Sequence, residues 1–474
     1  MFSFAQSVAR DGWNAMSDTS QNSYDEVPYS SYPIADTHPR HLEALAVLFG
    51  MEPPPLLGCR VLELGCASGG NLIPLADELP ESQFLGIDLS ARQVEEGQAT
   101  IADLGLKNIE LRAADLCAID DSWGQFDYII CFGVYSWVPR PVQDKIFDVC
   151  RRNLAPNGVA IISYNTYPGW HFRMVARDLM RYHVGHLQGA RQKIAQAHAV
   201  LDFMAAMCDG SGPYGQVLKR ELERVRDVDE SYLYHEHLED NNQPVYFHEF
   251  IELAEQHGLQ YLAETNISRM LTVNLPPRVQ EMLREAPMIR REQYLDFVRN
   301  VGFRSTLLCH REIELDHQLR EDRLSRFLVQ LPAPPDPKEV DLQCHDPVKY
   351  SVAECSLTAS LPLSKAAIAC LGRIWPEAIG VAELHQRARE LLKQSATTDD
   401  PQYSIEALYS LLTTALAGDA LEISVHAPRC VSAISDRRGL KARPLSGFAS
   451  DADYEPLAPL HQAQRYGLFY SAAA

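Results

Sequence analysis

The sequence is short of positive charge. Its 43 Lys and Arg stand against 63 Asp and Glu, a formal net charge of −20 with a pI near 5.2. Nucleic-acid binding neutralises phosphates with clustered cations, so this balance argues against DNA or RNA as the main partner. Long apolar runs are missing too: none approaches the roughly 20 residues that cross a bilayer. Met1–Ser20 carries Asp11 and lacks the apolar stretch of a signal peptide. The 11 cysteines include no Cys-x-x-Cys pair. Cys66, Cys131, Cys150, Cys309 and Cys370 fall inside apolar stretches and read as small core residues. His183 with His186, and His235 with His237, are too few ligands for a metal centre, and none is expected. These absences predict a cytoplasmic globular protein with no integral membrane segment. At 474 residues, 46% of them apolar, it has length for two or three domains.

What is present is organised around Val61-Leu62-Glu63-Leu64-Gly65-Cys66-Ala67-Ser68-Gly69-Gly70-Asn71. An apolar run enters a glycine-rich bend, and Leu72, Leu75, Ala76 and Leu79 then recur at helical spacing, so the stretch reads strand, tight loop, helix. Glycine lets such a loop bend sharply and lets a ligand approach its backbone. No Lys or Ser/Thr follows Gly69-Gly70, which excludes a phosphate-cradling P-loop, and the Gly65-x-x-x-Gly69 spacing differs from a dinucleotide fingerprint. Glu63, two residues before the first glycine, would repel a pyrophosphate. It suits a ligand with positive charge, as S-adenosylmethionine has in its ammonium and sulfonium. Phe84-Leu85-Gly86-Ile87-Asp88 ends in an acid 19 residues past Gly69, the place of a ribose-binding carboxylate. Ser90 and Gln93 form an S-x-x-Q box that opens the next helix. A third strand, Ile109–Ala114, stops at Asp115, placed to accept from an adenine amino group. Glu63, Asp88 and Asp115 thus lie toward the carboxyl ends of three successive strands, the ligand edge of open α/β sheets. Gly65, Cys66, Ala67, Gly69, Asn71, Leu89, Gln93 and Leu116 border these positions and, with Tyr29 from the N-terminal segment and Phe132 at the end of a fourth strand, complete the predicted cofactor set.

Glu63 to Gly69 resembles the first motif of class I S-adenosylmethionine-dependent methyltransferases. The strings Val61–Pro74, Gly133–Pro139 and Tyr164–His171 resemble a narrower bacterial family with a methyltransferase regulatory domain, which includes lysine methyltransferases of outer-membrane proteins. Tyr24–Tyr29 and Thr37-His38-Pro39 fit it as well, and the similarity runs from about residue 24 to about residue 430. It implies a seven-stranded Rossmann-like sheet, S-adenosylmethionine as cofactor and lysine side chains of a protein as acceptors. Ala67 replaces a frequent glycine and is tolerable there if its φ stays negative. Phe132 stands where a polar or His side chain is expected.

The chain divides by composition. Residues 1–50 form an N-terminal segment whose Tyr29 and His38 suit a lid over the ligand, and 51–171 form the cofactor-binding core. Residues 172–242 read as a helical insertion, with Ser231–His237 rich in groups able to contact a substrate. Over 243–312, Phe247–His257, Gly258, Leu259–Glu264 and Phe303–Cys309 look like the closing helix and strands of the same sheet. A linker (313–345) stiffened by Pro332, Pro334, Pro335 and Pro337 leads to three helices and a strand over 346–430, a winged-helix-like α+β domain, and then an irregular tail, 431–474. The third helix, Ser404–Gly418, holds no Arg or Lys, which speaks against DNA binding.

Methyl transfer is an in-line displacement that needs positioning, desolvation and, for an amine, a neutral nucleophile. Tyr135, Trp137, Tyr164, Asn165, Tyr167 and Trp170 cluster at the predicted ends of the fourth and fifth strands. Aromatic faces there can hold an ammonium. Tyr135, Trp137, Asn165 and His171 are the catalytic candidates, with Tyr135 or His171 as general base. Two other readings stand beside lysine methylation: a small-molecule N- or O-methyltransferase, and a cofactor-binding regulator without turnover.

Overall fold

Apolar runs such as Tyr128–Cys131 and Val159–Tyr164 have no polar alternation, as expected of strands covered on both faces. In the computed structural model they form the middle of a seven-stranded sheet. The structure describes Val27 and residues 31–427, apart from 209, 211, 227–229, 274 and 394–399. Helix α1 (Pro39–Leu48) precedes β1 (Arg60–Leu64), α2 (Leu72–Glu78), β2 (Gln83–Asp88), α3 (Ala91–Leu104), β3 (Ile109–Ala113), β4 (Phe126–Cys131), α4 (Arg140–Asn153) and β5 (Leu154–Asn165). After residue 242 come α5 (Phe247–Gln256), β6 (Leu259–Glu264), α6 (Met288–Arg299) and β7 (Phe303–His310). The strand order is β3-β2-β1-β4-β5-β7-β6. All neighbours are parallel except β7, which runs antiparallel between β5 and β6. The catalytic sheet therefore resumes beyond residue 242, as the helix–Gly–strand pattern predicts. The Pro156-Asn157-Gly158 turn survives as an irregularity within β5, because Phe126 pairs with Leu154 whereas Tyr128 pairs with Val159.

The chain separates into two compact units, Ser31–Ala176 with Glu239–Ala474, and Met1–Ser30 with Arg177–Leu238. The second unit is helical, and Ile194, Ala197 and Leu201 of Ala190–Met207 and Leu218 and Val225 of Pro213–Arg226 are buried. The Ser231–His237 stretch is not a solvent-facing reader of substrate. His235 is buried with Nε2 on the Val27 carbonyl, and His237 is buried 3.5 Å from Glu221.

In the larger unit, β8 (Leu328–Gln330), the hairpin β9 (Val348–Val352) and β10 (Cys355–Ala359), α7 (Pro362–Ile374), β11 (Ile379–Gly380), α8 (Val381–Leu391), α9 (Ile405–Ala417) and β12 (Glu422–Ser424) follow the sheet. The three expected helices are present. The strand expected to form a wing instead pairs with β8, which arises within the predicted linker and is central in a three-stranded antiparallel sheet, β11-β8-β12. No hairpin follows α9 among the described residues. A three-residue strand carries too little pattern to be read within a proline-rich stretch. The predicted tail and Tyr24–Pro28, save Val27, lie outside the described residues.

The last strands are held by one buried cation. Arg304 on β7 donates from Nε and Nη2 to Asp296 (2.9 and 2.8 Å), from Nη1 to Glu264 (2.6 Å), and lies 3.4 Å from Glu292, with its guanidinium 3.9 Å over the Phe247 ring. Three carboxylates face a single guanidinium, and burial pushes Glu292 up to about 7 and Asp296 up to about 6 despite it. The folded chain thus holds protons that the unfolded chain releases, and these two groups contribute less stability as pH rises from the ordinary carboxylate range toward 7. Arg304→Met should destabilise by about 3–5 kcal/mol near neutrality, because it strands buried charge. The loss should shrink at about pH 5, where the acids take up protons. Urea unfolding at both pH values checks this, and an equal loss at both would contradict it.

Candidate functional site

β1 delivers Glu63 and Leu64 to the sheet edge, where the chain turns sharply. Gly65 and Cys66 both donate their N–H to the Ile87 carbonyl, and Gly69 N–H closes the bend on the Cys66 carbonyl. Gly65 has φ +77°, and a Cβ there would lie 2.4 Å from the Val134 side chain, so the bend and the β4 exit fit only with glycine. Ala67 has φ +50°, which corrects the expectation of a negative angle. Its N–H is claimed by Asp88 Oδ2 at 2.8 Å, and this bond holds the alanine in the left-handed region.

Asp88 also accepts the Ser90 N–H on Oδ1 at 2.9 Å. Each carboxylate oxygen thus takes one N–H of the surrounding turns, which fixes at the end of β2 the kind of acid that accepts from a ribose diol in Rossmann-like sheets. Leu89 beside it is 69% exposed, an apolar face at the edge of the sheet. Ser90 caps α3 by accepting the Gln93 N–H, as predicted. Asp115 is exposed and its Oδ1 accepts the Cys117 N–H, so it caps its own turn, with Leu116 half-buried beside it. The Cys66 thiol points inward and would lie 2.7 Å from a Cβ at Gly86. It packs the β1–β2 seam, and burial raises its pKa.

Glu63 is 4% exposed. Its Oε1 accepts from Asn71 Nδ2 at 2.8 Å, while Oε2 is buried without a partner. Burial, opposed by the Asn71 bond and assisted by the Asp88 charge, pushes its pKa up to about 7. Asn71 is a bridge as well as a loop residue. The same Nδ2 reaches Thr37 Oγ1 (3.0 Å), and its Oδ1 accepts the Ile34 N–H (2.9 Å). With its amide spent on protein partners, Asn71 positions Glu63 and the N-terminal segment instead of offering a free group to a ligand. Ser31 Oγ accepts the Gly70 N–H at 2.8 Å. Ser31, Ile34 and Thr37 carry this contact, and no spacing in the sequence points to them. His38 caps α1 through Nδ1, and its Nε2 meets Glu78 at 3.2 Å, so it braces the segment and is not a lid group. Tyr29 lies outside the described residues.

At the carboxyl ends of β4 and β5 the predicted aromatics divide. Tyr135, Tyr164 and Trp170 are fully buried. Tyr164 stacks on Phe250 (3.9 Å, 18°), Tyr135 meets Phe147 and Phe250 edge-on, and the Tyr135 hydroxyl has no partner, with its pKa raised by burial. Enclosed and hard to ionise, Tyr135 is a poor general base, and these three rings are packing. Trp137, Tyr167 and His171 are the outer members. Trp137 meets Trp170 edge-on at 6.3 Å, and His171 stacks on Tyr167 at 4.1 Å with Nε2 3.1 Å from Tyr246 Oη. Asn165 is buried and donates to Asn242 at 3.1 Å. Residues 242–246 run beside β5, with Thr166 bridged to Val245, and bring in Asn242 and Tyr246, which the sequence reading missed. Phe132 packs edge-on against Phe303 at 5.7 Å, an apolar contact across the sheet where a polar one is expected.

The site residues fit S-adenosylmethionine. An unanswered buried carboxylate oxygen suits a cation, a diol acceptor ends β2, and glycines permit close approach. These features define a nucleoside site on a Rossmann-like sheet. The family model described as "Methyltransferase domain" matches residues 61–158, and "Predicted methyltransferase regulatory domain" matches 229–310. The uncharacterized protein RP789 of Rickettsia prowazekii is 48% identical over 68% of this chain and 59% of its own length, so the chain spans less than two thirds of that relative. RP028 of the same organism is 42% identical over 52% of this chain and 98% of its own length. The structure of PKMT2 from Rickettsia typhi in complex with AdoHcy matches with a TM-score of 0.76 at 33% identity, covering 85% of this chain and 78% of that one. The chain belongs to the class I S-adenosylmethionine-dependent methyltransferases that carry a methyltransferase regulatory domain.

Asp88→Ala should weaken S-adenosylhomocysteine binding about 100-fold, the equivalent of about 3 kcal/mol for two hydrogen bonds to a charged group. Calorimetry checks it. For Glu63 the sign is fixed by its raised pKa: protonated below about 7, it loses its attraction for an ammonium. Affinity should fall as pH drops from about 8 to about 6. Glu63→Gln should bind more weakly at pH 8 and show a flat profile, and a wild-type profile equally flat would contradict the role.

Proposed function

We propose that the protein transfers a methyl group from S-adenosylmethionine to lysine side chains of a protein substrate, and that it acts in the cytoplasm. The observation that carries the acceptor class is the aromatic edge of Trp137, Tyr167, His171 and Tyr246 at the ends of β4 and β5. Ring faces of this kind attract an ammonium, and the surrounding apolar packing lowers the pKa of an amine so that it loses its proton before attack. The likeness to PKMT2 over most of the chain supports the same acceptor.

Bound cofactor would supply the electrophilic methyl. Glu63 and Asp88 would hold its cationic and ribose ends, with Leu89 and Asp115 toward the base. Trp137 would shield and orient the incoming amine. Asn165, fixed by Asn242, would direct it through its amide carbonyl. His171, exposed and hydrogen-bonded to Tyr246, would take up the released proton.

Incubation with methyl-labelled cofactor and a cell lysate tests the acceptor class. Label in protein bands, released as methyl-lysine on hydrolysis, is expected. Label confined to small molecules, or none, would overturn it. Trp137→Ala and His171→Ala should lower kcat about 10- to 100-fold without changing S-adenosylhomocysteine affinity. A loss confined to cofactor binding would remove both from the acceptor side.

A further inference from the structure

Helix α6 wears its polarity inside out. It turns Glu292, Gln293 and Asp296 inward, where Arg304 and His248 hold them, and Leu295 is its one fully buried apolar residue. Tyr294, Phe297 and Val298 face solvent instead, 43%, 51% and 55% exposed. Arg290, whose guanidinium lies 5.8 Å over the Tyr294 ring, stands on the same helix face, at i with the others at i+4, i+7 and i+8. Single exposed apolar residues are ordinary, whereas a continuous stripe that leads to a site marks a contact surface. This stripe leads to the acceptor edge. Phe297 meets Tyr246 at 5.8 Å, and Tyr246 meets Tyr167 at 5.3 Å. The turn after α6 is bonded to that edge as well, with Gly169 N–H on the Val301 carbonyl (2.9 Å) and Thr166 N–H on the Gly302 carbonyl (3.1 Å). A Cβ at Gly169 would lie 2.5 Å from Gly302 Cα, so the two backbones touch and the stripe is fixed relative to the edge. Because both acids of α6 point inward, the outward charges beside the stripe are Arg290 and Arg291, on a chain of net charge −20.

We infer that this stripe docks the stretch of acceptor protein beside the modified lysine, a role that rests on lysine being the acceptor, and that the stretch carries an apolar side chain and then an acid. The spacing follows from the geometry. From Tyr167 through Tyr246 to Phe297 the path is at most about 11 Å, which an extended chain covers in about three residues. Arg290 lies about 10 Å further along the helix axis, or about three extended residues more. With the lysine at Tyr167 and His171, the apolar side chain falls on Phe297 and Val298, and the acid reaches Arg290. An acid is attracted there and repelled by the acidic remainder of the surface, so it sets the register of the segment.

The test uses the full chain and fluorescent Gly-Ser peptides with one lysine, a leucine about three residues from it and an aspartate about six, built in both chain directions. In one direction, anisotropy should give a Kd about tenfold lower than with serine for the leucine, and about threefold lower than with asparagine for the aspartate. Phe297→Ser should abolish the leucine preference. Arg290→Glu should exchange the preference for aspartate for one for arginine, a gain that misfolding cannot mimic. S-adenosylhomocysteine Kd should stay unchanged in both variants. With methyl-labelled cofactor the same differences should appear in KM and not in kcat. Equal binding of all peptides, or preferences that survive both substitutions, overturns the docking stripe, and label on the peptide lysine then leaves the acceptor class standing. Sequence-dependent binding lost in Phe297→Ser, without label on lysine, overturns the acceptor class and with it the flanking role. Self-association or binding to phosphatidylglycerol vesicles that is lost in Phe297→Ser, with peptide Kd unmoved, assigns the stripe to a second copy or a membrane and overturns it.

Discussion

A carboxylate placed almost out of water, with one oxygen bonded and the other unanswered, sets the terms for the ligand side of this fold. Burying Glu63 is costly unless its charge is met, and the Asn71 amide meets only half of it. Asn71 can do so because it opens the helix after the bend, and its remaining polar groups are held by Ile34 and Thr37. Residues 31–37, the glycine bend and the first strand are thus joined by hydrogen bonds. A cation fits the open position and a phosphate does not, which is why the same sheet that elsewhere serves dinucleotides serves a sulfonium nucleoside here.

A second constraint lies at the opposite edge. The region matched by the regulatory-domain model, 229–310, supplies β6, α6 and β7, and Arg304 within it ties all three together. Because β7 pairs directly with β5, this region completes the catalytic sheet and is not an appendage to it. Phe303 at the start of β7 meets Phe132 just past β4 edge-on, so this region is joined to the end of β4 by packed rings as well as by strand pairing.

The sheet was legible because its strands are buried on both faces and separated by helices of clear period, a pattern that survives any tertiary arrangement. Glu63, Gly65 and Asp88 were legible for a similar reason: glycine spacing and strand-end acids are constraints of the local chain. The fate of Tyr135, Tyr164 and Trp170 was not, since an aromatic at a strand end looks the same whether a helix covers it or solvent does. Phe250 of α5, some 85 residues beyond Tyr164, decides that. The small sheet escaped because β8 is only three residues long and finds its partners near residues 379 and 423.

By itself the sequence determined the strand–bend–helix order, the acid at each strand end and the excess of negative charge, because these depend on neighbours along the chain. Tertiary structure decided that Asn71 braces instead of binding, that His38, His235 and His237 are buried supports, and that Ala67 takes a left-handed angle under Asp88's hold. In each case a partner distant in the chain sets the local free energy, and no reading of adjacent residues contains that partner.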